Sequence, residues 1–271
     1  MSLKNKTIVF IGAGNMAEAL IRGLLVNQVV PPQQIIATDV RPDRLAALQK
    51  QFGIRIESDN AQAARAADLI VLAVKPQQMS AVLATLRPGP QTLIISIAAG
   101  ITTARIEQEL AGSIRVIRVM PNTPALVGAG AAAVCAGRFA LPEDSLAAET
   151  LLRAVGIVVT VEERLLDAVT ALSGSGPAYI FLVTEALIKA GIEAGLPPDI
   201  ARRLTIQTVF GSALLLRESS EDAAELRRKV TSPGGTTEAA IRVMLACNLP
   251  EIFQEAVAAA AQRGRELSGA K

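Results

Sequence analysis

The chain has 271 residues, of which 51% are hydrophobic and 19% charged, and its formal net charge is +2. This composition supports one large folded domain or two smaller ones and excludes an intrinsically disordered chain. It contains no basic run and no basic patch interleaved with aromatic residues, so nucleic acid is not an expected partner. It contains no histidine, which excludes imidazole-based acid–base catalysis and Ser-His-Asp or Cys-His nucleophile pairs.

The N-terminus and the cysteines set further expectations. Met1–Lys6 leads directly into an apolar strand without the pattern of a secretory signal. No apolar run approaches the roughly 18 residues of a membrane span, so we expect a cytoplasmic protein without a membrane partner. Cys135 and Cys247 lie in apolar sequence and are expected to be buried free thiols, and no metal site is predicted.

Short apolar runs alternate with helical segments in the first part of the chain. Strands are predicted at Thr7–Ile11, Ile35–Thr38, Ile54–Glu57, Leu69–Val74, Thr92–Ser96, Ile114–Val119, Ala131–Cys135 and Ile157–Val161. Helices are predicted at Met16–Val26, Pro42–Phe52 and near Ala61–Ala66. Apolar strands between helices indicate a parallel sheet covered on both faces, which is the doubly wound α/β class.

After about Glu163 the strand signals stop, which predicts a domain at residues 1–163 and a helical one at 164–271. Pro177–Ala194, Ile200–Leu216 and Glu251–Ala261 are apolar on almost every side. A helix that is apolar all round must be buried all round. We therefore expect a homodimer in which these helices pack against a second copy, with a compact monomeric bundle as the alternative.

The segment from Gly12 to Ala17 predicts a dinucleotide site. It follows the first strand and opens a helix: Gly12 permits the turn, Gly14 lets a phosphate approach the backbone, and Ala17 allows close helix–strand packing. Asn15 and Met16 complete the motif. Unpaired N–H groups at the helix N-terminus are expected to bind the pyrophosphate, which makes the sheet Rossmann-type.

Residues after the second strand bear on cofactor choice. An acid such as Asp39 usually accepts the 2′-hydroxyl of the adenosine ribose and repels a 2′-phosphate. Arg41 and Arg44 follow and could pair with a phosphate, or form a solvated helix start. The residues therefore leave NADH and NADPH both open.

Three more loops follow strand ends, where ligands bind in such sheets. For the loops of Lys75 and Asn122, an ordinary rigid turn is the alternative. Lys75 could contact the cofactor phosphates or ribose, the small residues around Ala98 suit a flat nicotinamide, and Asn122 could bond its carboxamide. The predicted cofactor contacts in these loops are Ala73, Val74, Lys75, Pro76, Ala98, Ala99 and Asn122.

Two loops in the helical part also suit a ligand. Leu172–Pro177 offers small flexible residues before a helix, fitting a cofactor edge or a tight helix crossing. Thr231–Glu238 offers two glycines, free backbone N–H groups and several hydroxyls, which predicts a carboxylate site. The alternative for the second loop is an ordinary helix cap made by Thr236 or Thr237.

These motifs together resemble the pyrroline-5-carboxylate reductase family. They occur in the family's order and cover nearly the whole chain, and the last two are the most specific. The matching segments are Gly12–Ala17, Ala73–Pro76, Ser96–Gly100, Met120–Pro124, Ser173–Tyr179 and Thr231–Thr237.

The resemblance implies hydride transfer from NADPH or NADH to the C=N carbon of 1-pyrroline-5-carboxylate, giving L-proline. It implies a Rossmann domain, a helical domain that intertwines in a dimer, and assembly into a pentamer of dimers. It implies substrate contacts from Ser232, Gly235, Thr236 and Thr237, and a ribose contact from Asn60. Asp39 departs from members that prefer NADPH, which often carry small hydroxyl or basic residues there.

The missing histidine fits this chemistry, because a cyclic imine is basic enough to be substantially protonated near neutral pH. Hydride addition then needs positioning rather than a strong acid, and we hypothesise that the Thr237 hydroxyl orients the ring nitrogen. A 6-phosphogluconate-type hydroxyacid dehydrogenase is one alternative; its base would be Lys189, which no glycine-lysine motif supports. A non-catalytic dinucleotide sensor is the other.

Overall fold

A computed structural model describes residues 3–269, so the outermost residues of the N-terminal reading and of the predicted helical domain lie outside it. The strands are β1 (Ile8–Ile11), β2 (Ile35–Thr38), β3 (Arg55–Glu57), β4 (Leu69–Leu72), β5 (Leu93–Ser96), β6 (Arg115–Met120), β7 (Gly130–Ala136) and β8 (Gly156–Thr160). The helices are α1 (Asn15–Val26), α2 (Pro42–Phe52), α3 (Asn60–Arg65), α4 (Met79–Thr85), α5 (Thr103–Leu110), α6 (Pro142–Arg153), α7 (Leu166–Val169), α8 (Gly176–Glu193), α9 (Pro198–Glu218), α10 (Ala223–Lys229), α11 (Thr236–Ala246) and α12 (Leu249–Ser268).

The strands form one sheet in the order β3-β2-β1-β4-β5-β6-β7-β8. The predicted doubly wound α/β fold is confirmed, and β1 lies between β2 and β4 with parallel pairing on both sides. The expectation of a wholly parallel sheet is wrong at one place, since β7 runs antiparallel to β6. The link from Met120 to Gly130 is too short for the crossover of a dozen or more residues that a parallel pair requires.

Side chains of the central strands alternate between two buried layers. In β1, Ile8 and Phe10 belong to one core cluster, whereas Val9 and Ile11 belong to the other. All four are fully buried, as a sheet covered by helices on both faces requires. The core on both sides is therefore built from Ile, Leu, Val and Ala, with few aromatic residues.

Helix α1 shows how the sequence covers the sheet. Ala17, Leu20, Ile21 and Leu24 recur at three- and four-residue spacing, and all are buried in the first core cluster. This spacing places them on one helical face. The face fixes the start of α1, and with it the turn that follows β1.

Several helices were not predicted: α4, α5, α6, α7 and α10. Two of them begin with an N-cap residue whose type is recognisable in the sequence. The Thr102 side chain accepts a hydrogen bond from Arg105 N at the start of α5, and Asp222 accepts one from Glu225 N at the start of α10. A short helix presents too few turns for a clear hydrophobic repeat, so such caps are its best signal.

The residues group into two compact units, one holding the chain up to 175 together with the residues from 260 onward, the other residues 176–259. The boundary predicted after residue 163 stays a prediction. In the second unit, α8 has no buried residue, and Phe181, Leu182 and Phe210 are each at least 60% exposed. Apolar faces of this extent mark interaction surfaces.

One expectation about membranes needs correction. The helical stretch Glu163–Glu193 has a mean hydropathy of 1.3 over its most apolar window and is long enough to cross a membrane by length and composition. A count of uninterrupted apolar residues does not find this stretch, because charged residues and the segment 173–176 interrupt its apolar runs. Length and composition alone do not distinguish a lipid-facing helix from one covered by protein.

A polar cluster anchors the segment that leads out of the sheet. Arg118 on β6 is only 5% exposed, and its Nη1 lies 3.1 Å from Glu163 Oε1. The same carboxylate accepts hydrogen bonds from the backbone N–H and the hydroxyl of Thr103, at 2.9 and 2.7 Å. Glu163 therefore neutralises a buried guanidinium and ties it to the start of α5.

We predict that Glu163→Ala lowers the free energy of unfolding by about 2 to 3 kcal/mol, because it leaves Arg118 buried without its counter-charge. The value lies below that of a fully buried pair, since the Glu163 side chain is still 30% exposed. Urea denaturation at fixed protein concentration measures it. Glu162→Ala is the matched control, because Glu162 pairs only with the exposed Arg164 and its loss should cost under about 0.5 kcal/mol. Equal effects of the two substitutions would contradict the anchoring role.

Candidate active site

The turn after β1 brings two strands unusually close. Gly12 has a φ of +95°, and a Cβ on it would lie 2.8 Å from the carbonyl oxygen of Ala73. Both the backbone angle and the contact exclude an L side chain there. The predicted requirement for glycine at residue 12 therefore has two physical causes, the turn itself and the approach of the loop after β4.

The start of α1 is built to accept an anion. Gly14 is the cap residue, its backbone is extended, and it provides no side-chain cap. A Cβ on Gly14 would meet no atom within 4 Å, so the space above it is open. The first-turn N–H groups of a helix lack partners within the helix, and such groups bind phosphate.

A cleft of about 710 Å³ opens at the carboxyl ends of β1, β2 and β4, which is a usual size for a ligand site. The predicted cofactor residues that line it are Gly12, Gly14, Asp39, Arg41, Asn60, Ala73, Val74 and Lys75. The structure thus brings together residues from four separate loops at the place where the strand order reverses, as dinucleotide-binding sheets do.

Other predicted cofactor residues lie outside the lining of this cleft. Asn15 is exposed in the first turn of α1, Met16 packs against the core, and Ala17 is fully buried. Their roles in the fold are consistent with the motif, since a buried Ala17 lets α1 pack closely on the sheet. Pro76 begins a short 3-10 turn, with Lys75 at its N-cap position and no side-chain cap.

The cleft also has lining residues that the sequence analysis missed. Gln78, Ala81, Val82 and Thr85 line it from the start and body of α4. Their spacing of three, four and seven residues places them on one helical face, and this was the signal available in the sequence. Further missed lining residues are Thr38, Val40, Ser58 and Gln77.

A buried hydroxyl orients Asn60. Thr38, at the end of β2, is fully buried, and its Oγ1 donates to Asn60 Oδ1 at 2.6 Å. Because that oxygen is engaged by Thr38, the amide nitrogen of Asn60 is the group available to a ligand in the cleft. Asp59 holds the same segment by accepting from the N–H groups of Ala61 and Gln62.

The two arginines after β2 have different surroundings. The suggestion that Arg44 pairs with a phosphate is not supported, because its Nε donates to Ala13 O at 2.7 Å and its Nη2 pairs with Glu18. Arg44 therefore fastens α2 to the start of α1. Arg41 lies at the cleft and pairs with Asp39, with 3.0 Å between Nε and Oδ1.

Asn122 has partners on both sides of its amide. Its Nδ2 donates to Ser173 O at 3.1 Å, and its Oδ1 accepts from Ala131 N at 2.8 Å. The side chain thus ties the turn after β6 to the π-helical segment Thr170–Gly174, as a rigid-turn reading expects. A contact between Asn122 and a nicotinamide stays a prediction.

The loop after β5 contains both a buried and an exposed predicted cofactor residue. Ala98 is 4% exposed and its N–H donates to Ser96 Oγ at 3.4 Å, whereas Ala99 is exposed. Gly100 has a φ of +73°, and a Cβ there would be 3.3 Å from Leu267 O. Glycine at residue 100 is therefore favoured by its backbone angle and by the close approach of α12, whatever the loop contacts in a ligand.

The second predicted site lies in the other compact unit. Helix α11 begins at Thr236 with Gly235 as its cap, so the alternative in which Thr236 or Thr237 caps the helix is wrong. Gly235 has no side chain to cap the first-turn N–H groups. Ser232 and Thr236 are exposed, and Thr237 is partly so. Gly234, with a φ of +72°, donates its N–H to Glu238 Oε2 at 2.8 Å and fixes the loop.

The cysteines differ from each other. Cys135 is buried, and this burial raises the pKa of its thiol to about 12, so it remains a protonated thiol at neutral pH. Cys247 is exposed, which corrects the expectation that both are buried. Within residues 3–269, no group of three His, Cys, Asp or Glu side chains is arranged to hold a metal ion.

Known proteins are similar to this chain over nearly its whole length. A pyrroline-5-carboxylate reductase of Pseudomonas aeruginosa is 47% identical over 264 residues, which is 96% of each chain. The chain belongs to the pyrroline-5-carboxylate reductase family. Residues 163–267 match the family model described as pyrroline-5-carboxylate reductase dimerisation, and residues 7–100 match the one described as NADP oxidoreductase, coenzyme F420-dependent.

Solved structures of pyrroline-5-carboxylate reductases share the whole fold. The one from Coxiella burnetii is 43% identical, covers 97% of this chain and 98% of its own, and has a TM-score of 0.91. The Plasmodium falciparum structure, with NADP bound, is 29% identical with the same coverage and has a TM-score of 0.87. The resemblance stated from the motifs is confirmed, and the hydroxyacid dehydrogenase and sensor alternatives are not favoured.

We predict that Thr38→Val weakens cofactor binding by about three- to tenfold, because Asn60 loses the hydrogen bond that orients it. Titration of nicotinamide fluorescence measures the dissociation constant. Thr38→Ser keeps the hydroxyl and should restore binding to within about twofold of the parent. A Ser variant as weak as the Val variant would show that the methyl group, rather than the hydroxyl, matters.

Proposed function

We propose that this chain reduces 1-pyrroline-5-carboxylate to L-proline with NADPH or NADH. The observation that carries the proposal is the cleft at the carboxyl ends of β1, β2 and β4, where Gly12 and Gly14 leave the backbone open to a dinucleotide. Membership of the pyrroline-5-carboxylate reductase family supports the choice of substrate.

The residues present fit the cofactor. The open space at Gly14 and the uncapped first turn of α1 suit the pyrophosphate, while Asp39, Arg41 and Asn60 suit the adenosine ribose. Ala73, Val74, Lys75 and the loop of Ala98 and Ala99 continue along the same strand ends. When bound, the reduced nicotinamide supplies the hydride that adds to the C=N carbon.

The loop before α11 holds the substrate carboxylate. Gly235 leaves the first-turn N–H groups without a side-chain cap, and the hydroxyls of Ser232 and Thr236 add donors. A helix N-terminus with free N–H groups stabilises an anion. The role of these residues is positional: they fix where the imine carbon lies.

No residue has to supply a strong acid. The imine nitrogen enters with its proton, so hydride addition to the carbon converts the C=N double bond to a neutral secondary amine without a further proton transfer. Thr237 orients the ring, because its hydroxyl oxygen accepts a hydrogen bond from the protonated ring nitrogen. The absence of histidine from the sequence is consistent with this division of labour.

The assembly is a homodimer formed through residues 164–271, and the dimers assemble further as a pentamer of dimers in the cytoplasm. The match of residues 163–267 to the family's dimerisation model and the exposed apolar faces of α8 and α9 support the dimer. A second copy covering α8 also accounts for the apolar stretch Glu163–Glu193 without a membrane. Nucleic acid is not a partner.

The reaction is tested by following loss of nicotinamide absorbance when 1-pyrroline-5-carboxylate is added with NADH or with NADPH. Thr237→Ala should lower kcat/KM by about tenfold or more, since it removes a hydrogen bond to the reacting group, while cofactor affinity is unchanged. Thr150→Ala, on helix α6, removes a hydroxyl that bonds only Leu146 O within its helix and is the control. An unchanged kcat/KM for Thr237→Ala would remove that residue's role, and no oxidation of either cofactor would remove the function.

We also predict that Phe181→Glu breaks the dimer, because it places a charge on the apolar face of α8, where Phe181 is 67% exposed in the single chain. Sedimentation velocity should show dimers or larger species for the parent and a smaller species for the variant. Val26→Glu, at the end of α1 and 72% exposed, is the matched control and should keep the parent's mass. An unchanged mass for Phe181→Glu would place the dimer interface elsewhere.

A further inference from the structure

The carboxylate of Asp39 has a fixed position in the cleft. Its Oδ2 accepts from Ala13 N at 2.9 Å, and its Oδ1 accepts from Arg41 N at 3.0 Å. These two backbone bonds hold the carboxylate against the glycine-rich turn. Its side chain is only 9% exposed, so it cannot swing away from whatever occupies this end of the cleft.

The carboxylate also stays charged. Burial acts to raise its pKa, but hydrogen bonds from the Arg41 side chain and from the N–H groups of Ala13 and Arg41 outweigh burial and leave the pKa below its usual value. A fixed anion at the end of the second strand accepts hydrogen bonds from ribose hydroxyls and repels a phosphate. The electrostatic contribution of Asp39 therefore disfavours a 2′-phosphate at neutral pH.

The cations near Asp39 do not reverse this preference. Arg44 is committed to Ala13 O and Glu18, and among the described residues lining the cleft only Arg41 and Lys75 are cationic. Lys75 follows a different strand, β4. The Arg41 guanidinium is already bonded to Asp39 through Nε at 3.0 Å and Nη2 at 3.3 Å.

The ion pair between Asp39 and Arg41 can be displaced by a ribose diol but not by a 2′-phosphate. Its arginine side chain is 57% exposed, and exposed ion pairs contribute little to stability. A ribose diol can therefore displace the guanidinium and take its place on the carboxylate. A 2′-phosphate cannot gain from the same exchange, because it would draw Arg41 away and face a bare carboxylate.

From this geometry we propose that Asp39 is the specificity-determining residue for the cofactor, and that it makes the enzyme prefer NADH to NADPH. The proposal rests on the proposed use of a nicotinamide cofactor and adds which of the two it is. Arg41 is the guanidinium that covers the carboxylate before the cofactor binds.

The test measures dissociation constants of NADH and NADPH for the full-length protein in the absence of substrate, by calorimetry or nicotinamide fluorescence. The parent should bind NADH about tenfold or more tightly than NADPH. Asp39→Asn keeps the shape and removes the charge, so the ratio of the NADPH to the NADH constant should fall by about tenfold. Parent protein that binds NADPH as tightly as NADH, or more tightly, would overturn the proposal.

Asp43→Asn is the matched control. Asp43 lies exposed in the first turn of α2, outside the cleft lining, and its replacement changes the net charge of the protein by the same amount. For Asp43→Asn, the ratio of the NADPH to the NADH dissociation constant should stay within about twofold of the parent's ratio. An equal change in both variants would show a general charge effect and overturn the role of Asp39.

The same preparations separate this proposal from the proposed function. Selective binding of NADH without reduction of 1-pyrroline-5-carboxylate would leave the role of Asp39 standing and remove the reductase. Reduction of the imine with a preference for NADPH would leave the reductase activity standing and remove the role of Asp39. Thermal unfolding with and without cofactor confirms that each variant is folded before its constants are compared.

Discussion

The approach of the loop after β4 to the turn after β1 is the constraint on which the site depends. A Cβ on Gly12 would lie 2.8 Å from Ala73 O, so this contact exists only because residue 12 is glycine. It sets the floor of the cleft and brings Lys75 and Val74 beside the glycine-rich turn. The same turn is joined to the end of β2, because Gly12 donates its N–H to Thr38 O at 3.0 Å.

Polar side chains near the cleft divide into those whose polar groups are bonded within the protein and those that leave a group free toward the cleft. Arg44 and Asn122 donate to Ala13 O and Ser173 O, whereas Asn60 accepts from Thr38 through Oδ1, which leaves its amide nitrogen toward the cleft. The division is possible because buried polar groups must be paired somewhere. A residue type at a strand end therefore does not by itself identify a ligand contact.

Local sequence patterns predict the main elements of the fold, but not the partners of individual side chains. The strands and long helices follow from apolar runs and periodicity, and the glycine-rich turn follows from its place between β1 and α1. The antiparallel β7 and the different partners of Arg41 and Arg44 do not follow, because they depend on link length and on contacts between segments distant in sequence. The face of α4 that lines the cleft is an intermediate case. Its three- and four-residue spacing can be recognised in the sequence, but the helix is too short for that spacing to predict it.

The exposed apolar faces of α8 and α9 have a consequence for how the chain comes to be stable. A surface that is covered only by a second copy contributes free energy of folding only when that copy is present, so stability rises with protein concentration. The helices that carry this surface follow the eight strands in the chain and are therefore synthesised after them. Until the second copy binds, these apolar faces are open to chaperones and proteases.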